Sequence, residues 1–378
     1  MVNSMSADSI ANPFLGGDSL VRSLNRARIA ALRGVPGGDA VLGRTGYELL
    51  SAASLHEQIA SAAERLGLDP AGADLIRRLD ACFDDPSARP HALAIARAYG
   101  RRLGCLLLML RRGEEANRAA RPEWSEAHWA FWRSVRQIYV GGGLVAGNLG
   151  RHAVVAAREL LAEAGETDLA LARAEHAAYL PLIGLARSVP PDSVEGVVLD
   201  FGQTSTKRGR SSYRAGRLCA IEVWPAAPTV CGELTETDLS DDDVRQRWDR
   251  MASAIAESWG GVPSERRAQA ALGICLACYL IDGHPAPADR GCYGVLRRLG
   301  PHLASFVERD LGRRLGRAVP VALLHDGAAA AAAYAGQDRA VVITLGTAIG
   351  NGFPPPGEAA RPLADDFALT TSSEIRSF

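Results

Sequence analysis

Apolar residues recur along this chain with two periods, one helical and one extended, and the extended runs repeatedly end in glycine-containing turns. Over residues 46–66 the positions Leu49, Leu50, Ala53, Ile59, Ala63 and Leu66 follow helical spacing. Residues 69–83 and 89–112 predict two more helices, the second with a broad apolar face through Leu93, Ile95, Tyr99, Leu103, Leu107 and Leu110. Residues 136–140 predict a short strand running into Gly141, Gly142 and Gly143, followed by helices over about 149–164 and 169–188. Residues 1 to about 40 are weakly patterned and read as a loop or an edge segment.

After Pro190 and Pro191 the pattern changes. An apolar run, 196–199, ends in Asp200, and Gly202 marks a tight turn. Hydroxyls follow at Thr204, Ser205 and Thr206, then Lys207. Residues 204–213 predict a strand, Arg214, Ala215 and Gly216 a turn, and 218–224 the returning strand. Residues 241–259 predict an amphipathic helix capped by Ser240 or Asp241. A buried strand over 272–281 ends at Asp282 and Gly283, and a helix spans 303–315. A strand over 319–324 ends at His325 and Asp326, and an alanine-rich helix covers 327–335. A strand over 339–345 then enters the glycine-rich stretch from Gly346 to Gly352, and the final residues are proline-rich and polar, without periodicity. Strands alternating with helices predict an α/β architecture.

Composition narrows the class. The formal net charge of −1 supplies no field to recruit nucleic acid, and neither end carries a basic recognition helix. The first residues lack a basic flank followed by an apolar core, and the longest apolar stretch, 103–110, is too short to span a bilayer. The expectation is a cytoplasmic protein with no membrane partner. Of seven cysteines, Cys275 and Cys278 alone have metal-like spacing, but they sit inside an apolar run and read as buried thiols in a reducing compartment. Trp124, Trp129 and Trp132 read as packing rather than a partner surface. Lys207 is the single lysine of the chain.

Four strand-end features bear on chemistry: Asp200 with its hydroxyl turn, His325 with Asp326, the Gly346–Thr347 turn, and Gly141 to Gly143. Each has an ordinary alternative. The first is also a polar hairpin, and Asp326 is also a helix cap. Together they are the parts of a phosphoryl-transfer site. Glycine and hydroxyl turns hold phosphates, one acid holds a metal through water, and another takes a hydroxyl proton.

On these motifs the chain resembles the ROK sugar kinases (repressor, open reading frame, kinase) of the sugar kinase, hexokinase and actin superfamily. LDFGQTSTKRG is similar to the first phosphate motif, VITLGTAIGNGF to the second, and IYVGGGLVAGNLG to the adenosine motif. ALGICLACYLIDG resembles the strand before the substrate loop, and LLHDGAAAAAAYAG the segment carrying the base. Because the adenosine motif here precedes the first phosphate motif, the motif order implies a circular permutation in preference to a helical N-terminal domain fused to a truncated kinase half. The resemblance implies a two-lobed actin-like ATPase (ribonuclease H-like) α/β fold. Residues 1–172 and 338–378 would form the adenosine and second-phosphate lobe, and 173–337 the first-phosphate and base lobe.

The activity it implies is transfer of the ATP γ-phosphate to a hydroxyl, a primary one, of a sugar or sugar-like C7-cyclitol. The alternatives are a sugar-responsive regulator and a non-catalytic ligand-binding homologue. Asp326 would be the catalytic base. Asp200, Gly202, Thr204, Lys207, Gly346, Thr347, Gly350, Gly141, Gly142, Gly143 and Asn148 would bind ATP, with Mg²⁺ held at Asp200 through water. His325, Glu48 and Asp282 would meet the substrate, although His325 is equally readable as a satisfied histidine at a strand end. Lys207 reads either as neutralising developing charge or as an exposed strand lysine. Two departures stand out. LGRTGYE occupies the position of the family's zinc cysteines, so no structural zinc is expected, and the family's Glu-x-Gly-His sugar motif is not evident. A homodimer is compatible with the resemblance.

Overall fold

The structure is a computed structural model that describes residues 12–14, 21, 23–72, 74–231, 239–287, 289 and 291–375. It is α/β, with mixed parallel and antiparallel sheets. The chain forms two compact units: the described residues up to Glu175 with Arg339–Val341, and His176–Asp338 with the residues from Val342 onward.

In the first unit the helical stretch 46–66 is divided into α1 (Gly46–Leu50), α2 (Ala52–Ala60) and α3 (Ala63–Leu66). Ser51 causes the first break, because its extended backbone and side chain cap the start of α2. The helix expected over 69–83 shrinks to α4 (Leu75–Ala81). Asp74, immediately before it, is left-handed at φ 60°. The long helix, α5 (Arg89–Arg112), has its expected bounds, and α6 (Glu115–Ala119) and α7 (Glu126–Ser134) follow. Trp124, Trp129 and Trp132 are all buried, as the packing reading expects. Strand β1 (Gln137–Gly141) leads to α8 (Asn148–Glu163). At the α5–α8 crossing, a Cβ on Gly100 would lie 2.0 Å from the carbonyl oxygen of Ala153, so only glycine permits this approach. The helix expected over 169–188 is corrected. Ala170–Arg173 is strand β2, pairing in parallel with β1. A four-residue segment is too short to be told from a helix by periodicity alone.

The second unit is built on a six-stranded sheet of β3 (Glu195–Phe201), β4 (Ser205–Arg214), β5 (Arg217–Pro228), β6 (Ala270–Leu276), β9 (Val321–His325) and β12 (Leu363–Thr371). Its order is β12-β5-β4-β3-β6-β9. Strands β3, β4 and β5 are antiparallel neighbours, whereas β6 and β9 continue in parallel from β3. Ala215 and Gly216 turn β4 into β5 with positive φ. A small hairpin, β7 (Leu280–Ile281) and β8 (His284–Pro285), follows β6. One core joins Leu199, Phe201, Ile274 and Leu276 of the sheet to Trp248, Met251 and Ile255 of α10 (Asp241–Gly260) and Val307 and Leu311 of α11 (Leu303–Arg314). Ser240 caps α10 as expected.

Helix α9 (Leu180–Ser188) packs on α12 (Asp326–Ala332), and a Cβ on Gly184 would lie 1.6 Å from the carbonyl oxygen of Ala329. Strand β10 (Ala340–Leu345) turns back into β11 (Ile349–Gly352).

The last residues, assigned from sequence to the first lobe, group with the second unit. Strand β12 pairs in parallel with β5. Arg361 ties the segment down by donating to the carbonyls of Pro190 and Ser193 and stacking 3.7 Å from the Tyr213 ring centroid. Strand β12 escapes the periodicity reading because Asp365, Asp366, Thr370 and Thr371 face solvent at a sheet edge. Cys275 and Cys278 are buried free thiols as read from sequence, whereas Cys231 and Cys292 form a disulfide that a reducing compartment does not lead one to expect. Among the described residues no helix is long and apolar enough to cross a membrane.

Replacing Gly184 with alanine is expected to cost about 1–3 kcal/mol by forcing α9 and α12 apart. Gly143→Ala, where an added Cβ meets nothing within 4 Å, serves as the neutral comparison. Denaturant titration reads both.

Candidate functional site

Strand β3 delivers Asp200 to the carboxyl end of the sheet with 5% of its surface exposed. A charge so buried needs partners. The register supplies two, because Asp200 faces Lys207 across the β3–β4 hairpin and Cys275 across the parallel pair. Lys207 Nζ lies 3.3 Å from Oδ2, and the Cys275 thiol donates to Oδ1 at 3.3 Å. Asp200 raises the Lys207 pKa against the opposing effect of burial, with further help from Asp326. Burial, then Asp200, pushes the Cys275 thiol well up, so it is a neutral donor and not a nucleophile. Lys207 is thus a partner of Asp200 and not a free surface lysine.

At the same end of the sheet, β9 ends in His325 and Asp326 opens α12. His325 Nε2 lies 2.8 Å from Asp326 Oδ1, and the Gly327 amide donates to that same oxygen at 2.7 Å. Tyr279 stacks on the imidazole, with ring centroids 4.4 Å apart. Burial raises the Asp326 pKa, but His325, the Gly327 amide and Lys207 together outweigh it and leave the carboxyl below its ordinary value. Asp326 is therefore ionised and acceptor-only.

Two short hairpin loops carry Thr204 and Thr347. Residues 202–204 join β3 to β4, and residues 346–348 join β10 to β11. Each begins with a glycine whose amide turns back into the loop, Gly202 to the Ser205 carbonyl at 3.2 Å and Gly346 to the Ala348 carbonyl at 3.2 Å. These glycine amides are thus occupied. Thr204 and Thr347 are exposed, and their amides have no hydrogen-bond partner among the described residues. The first loop is also held from behind, since Thr229 and Tyr293 hydroxyls donate to the Gly202 carbonyl at 3.2 and 2.8 Å. Gly350 lies in β11, where a Cβ would meet the Thr344 hydroxyl at 2.3 Å. It is a packing glycine, one step removed from the loop.

In the first unit, Gly141 ends β1 and Gly142 adopts φ 98°, a conformation that favours glycine. Gly143 borders a cavity of about 520 Å³ whose lining includes His56, Arg77, Asp80, Leu144 and Leu149. Asp80 Oδ1 accepts from the amides of Asn148 and Leu149 at 2.6 and 3.2 Å, so the α8 N-terminus is already capped by a carboxylate. Asn148 is committed to this cap, and its side chain accepts from Arg151. The Asp80 carboxylate already meets the amides that a phosphate at this helix end would need.

Two further sequence candidates have local roles. Glu48 forms a capping box with Thr45, and those bonds lower its pKa. Asp282 and Gly283 have φ 49° and 73°, making the tight turn between β7 and β8, with Asp282 exposed. Sequence reasoning missed Tyr279 and the Asp200 contact of Cys275. The signal for Cys275 was available in the parallel pairing of two runs ending at neighbouring positions. For Tyr279 there was none, because its contact with His325 joins separate strand ends. No three His, Cys, Asp or Glu side chains gather as a metal-holding group among the described residues. No protein-family model matches the chain, and the search of curated proteins returns no match.

Lys207→Met should destabilise the fold by about 2 kcal/mol by orphaning the Asp200 charge, and adding Asp200→Asn should recover much of that loss. Equal destabilisation of single and double variants in denaturant would contradict the pairing. Because the folded Asp326 pKa is depressed, its stabilisation is present above the ordinary value of 3.8 and disappears as pH falls through the lower folded value. The stability gap between wild type and Asp326→Asn should therefore close in acid.

Proposed function

We propose that this chain is an ATP- and Mg²⁺-dependent kinase that phosphorylates a hydroxyl of a sugar or sugar-like cyclitol. The observation that carries the reading is the pairing of two acids at the carboxyl ends of parallel strands. Asp200 closes β3, and Asp326 follows β9, with β6 between them. Two strand spacings separate these ends by about 10 Å. Ligands of open α/β sheets bind outside such carboxyl ends. Three antiparallel strands continued by two parallel ones are also compatible with a ribonuclease H-like, actin-like arrangement.

The chemistry follows from these residues. Thr204 and Thr347, with their uncommitted amides, suit phosphate oxygens. A triphosphate would compete with Asp200 for Lys207, spreading the ammonium charge onto phosphate and freeing the carboxylate. Asp200 then fits Mg²⁺ through water, because Mg²⁺ is commonly held by one or two carboxylates plus substrate phosphates and retains several waters. When bound, the ion supplies charge neutralisation on the phosphates. The His325–Asp326 pair stands where the proton of the attacking hydroxyl has to go. The cavity beside Gly143, within the first unit, suits an adenine, and the order of the two motifs makes the proposed fold a circularly permuted one.

An ATP-consumption screen against hexoses, aminosugars and cyclitols tests the reading. A polyol-dependent release of ADP is expected. Asp326→Asn should lower that rate about 10²–10⁴-fold while leaving ATP affinity within a few-fold. Substantial turnover in the variant would remove Asp326 from the reaction. No nucleotide binding and no turnover in the wild type would favour a non-catalytic scaffold.

A further inference from the structure

We infer that the proton of the acceptor hydroxyl is taken by Nδ1 of His325, with Asp326 serving as the positioning partner of that imidazole. The inference rests on the kinase reading for its reaction but on geometry alone for the pair. A carboxylate oxygen can only accept, so the 2.8 Å contact with Asp326 Oδ1 puts a proton on Nε2. In the neutral ring Nδ1 then carries the lone pair. Nδ1 has no hydrogen-bond partner among the described residues.

The ring is also held in place. Tyr279 stacks on one face with an interplanar angle of 19°. On another side, a Cβ at Gly327 would come within 2.7 Å of Cε1, so glycine makes the room that the imidazole occupies. Asp326 is pinned in turn, because Oδ1 also receives the Gly327 amide at 2.7 Å. A carboxylate held below its ordinary pKa is a weak proton acceptor but a good partner for an imidazolium. The arrangement follows the logic of an acid that orients a histidine base.

The step balances simply. As the hydroxyl oxygen forms its bond to the γ-phosphorus, its proton passes to Nδ1. The bond from phosphorus to the bridging oxygen breaks, and its electron pair leaves on ADP. The imidazolium, paired with Asp326, later returns its proton to water. Other titratable groups near this pair include Lys207 from β4, Cys275 from β6, and Cys278 and Tyr279 just beyond β6.

Long-range ¹⁵N–¹H spectra of the histidine-labelled full chain, with its eight histidines, read the tautomer without any turnover. His325→Asn identifies the resonance. The expected result is a neutral ring protonated at Nε2, with the bias lost in Asp326→Asn; a ring protonated at Nδ1 would overturn the inference. The kinetic arm uses whichever polyol the ATP screen finds. His325→Asn and Asp326→Asn should each lower kcat/KM about 10²-fold or more, with the double variant little worse than the singles. The acid limb of the pH profile should move to lower pH in His325→Asn. Additive losses, or an unmoved limb, would return the proton to Asp326. A wild type that phosphorylates no polyol, yet shows the Nε2 tautomer, would sink the kinase reading and leave the pair standing.

Discussion

A carboxylate as buried as that of Asp200 has to be compensated where it stands, and that requirement shapes the candidate site in the second unit. The β3–β4 register sets the chain's single lysine directly opposite it, and the β3–β6 register sets a thiol on the other side. A slip of one residue in either pairing would turn these partners to the opposite face of the sheet. The tight loop that fixes the register is the same loop that leaves the Thr204 amide uncommitted. Pairing, loop and anion-binding potential are therefore one structural unit. The Lys207 charge then extends to Asp326, linking the ends of β3 and β9 electrostatically.

The close helix packing beneath this sheet end serves the same purpose. Helix α12 starts at Asp326, so its depth in the fold sets where that carboxylate lies. Gly184 lets α9 approach the backbone of α12, and on the other side a Cβ on Gly352 would sit 1.9 Å from the Gly327 carbonyl oxygen. Small residues thus anchor α12 from two directions. The alanine-rich stretch that reads in sequence as a mere helix former is, in the fold, a surface shaped for contact.

Much of this was legible in the sequence where local signals were strong. The 196–199 run, the turn at Gly202, the bounds of the 89–112 helix and the Ser240 cap all follow from periodicity and capping chemistry. What escaped was set by tertiary context. Residues 170–173 are too short to declare a period, and their strand exists because β1 lies alongside. The polar strand β12 gains its structure from the sheet edge and from Arg361 anchored on buried carbonyls. At the site, Asp200, Lys207, His325 and Asp326 were each visible as residues, but the pairing of Lys207 with Asp200 and the grip of Tyr279 on His325 are products of register and stacking. Glu48 and Asp282 show the reverse case, since local capping and turn geometry account for both.

On the proposed function, the Asp200–Lys207 end of the sheet would receive a nucleotide's phosphates. The single lysine makes that directly measurable. A chain labelled with ¹³Cε-lysine gives one side-chain Cε–Hε correlation, and that of Lys207 reports its own surroundings. The account predicts that saturating MgATP shifts this signal as the ammonium turns from Asp200 toward phosphate, while magnesium alone leaves it in place. A signal unmoved at saturating MgATP would contradict it.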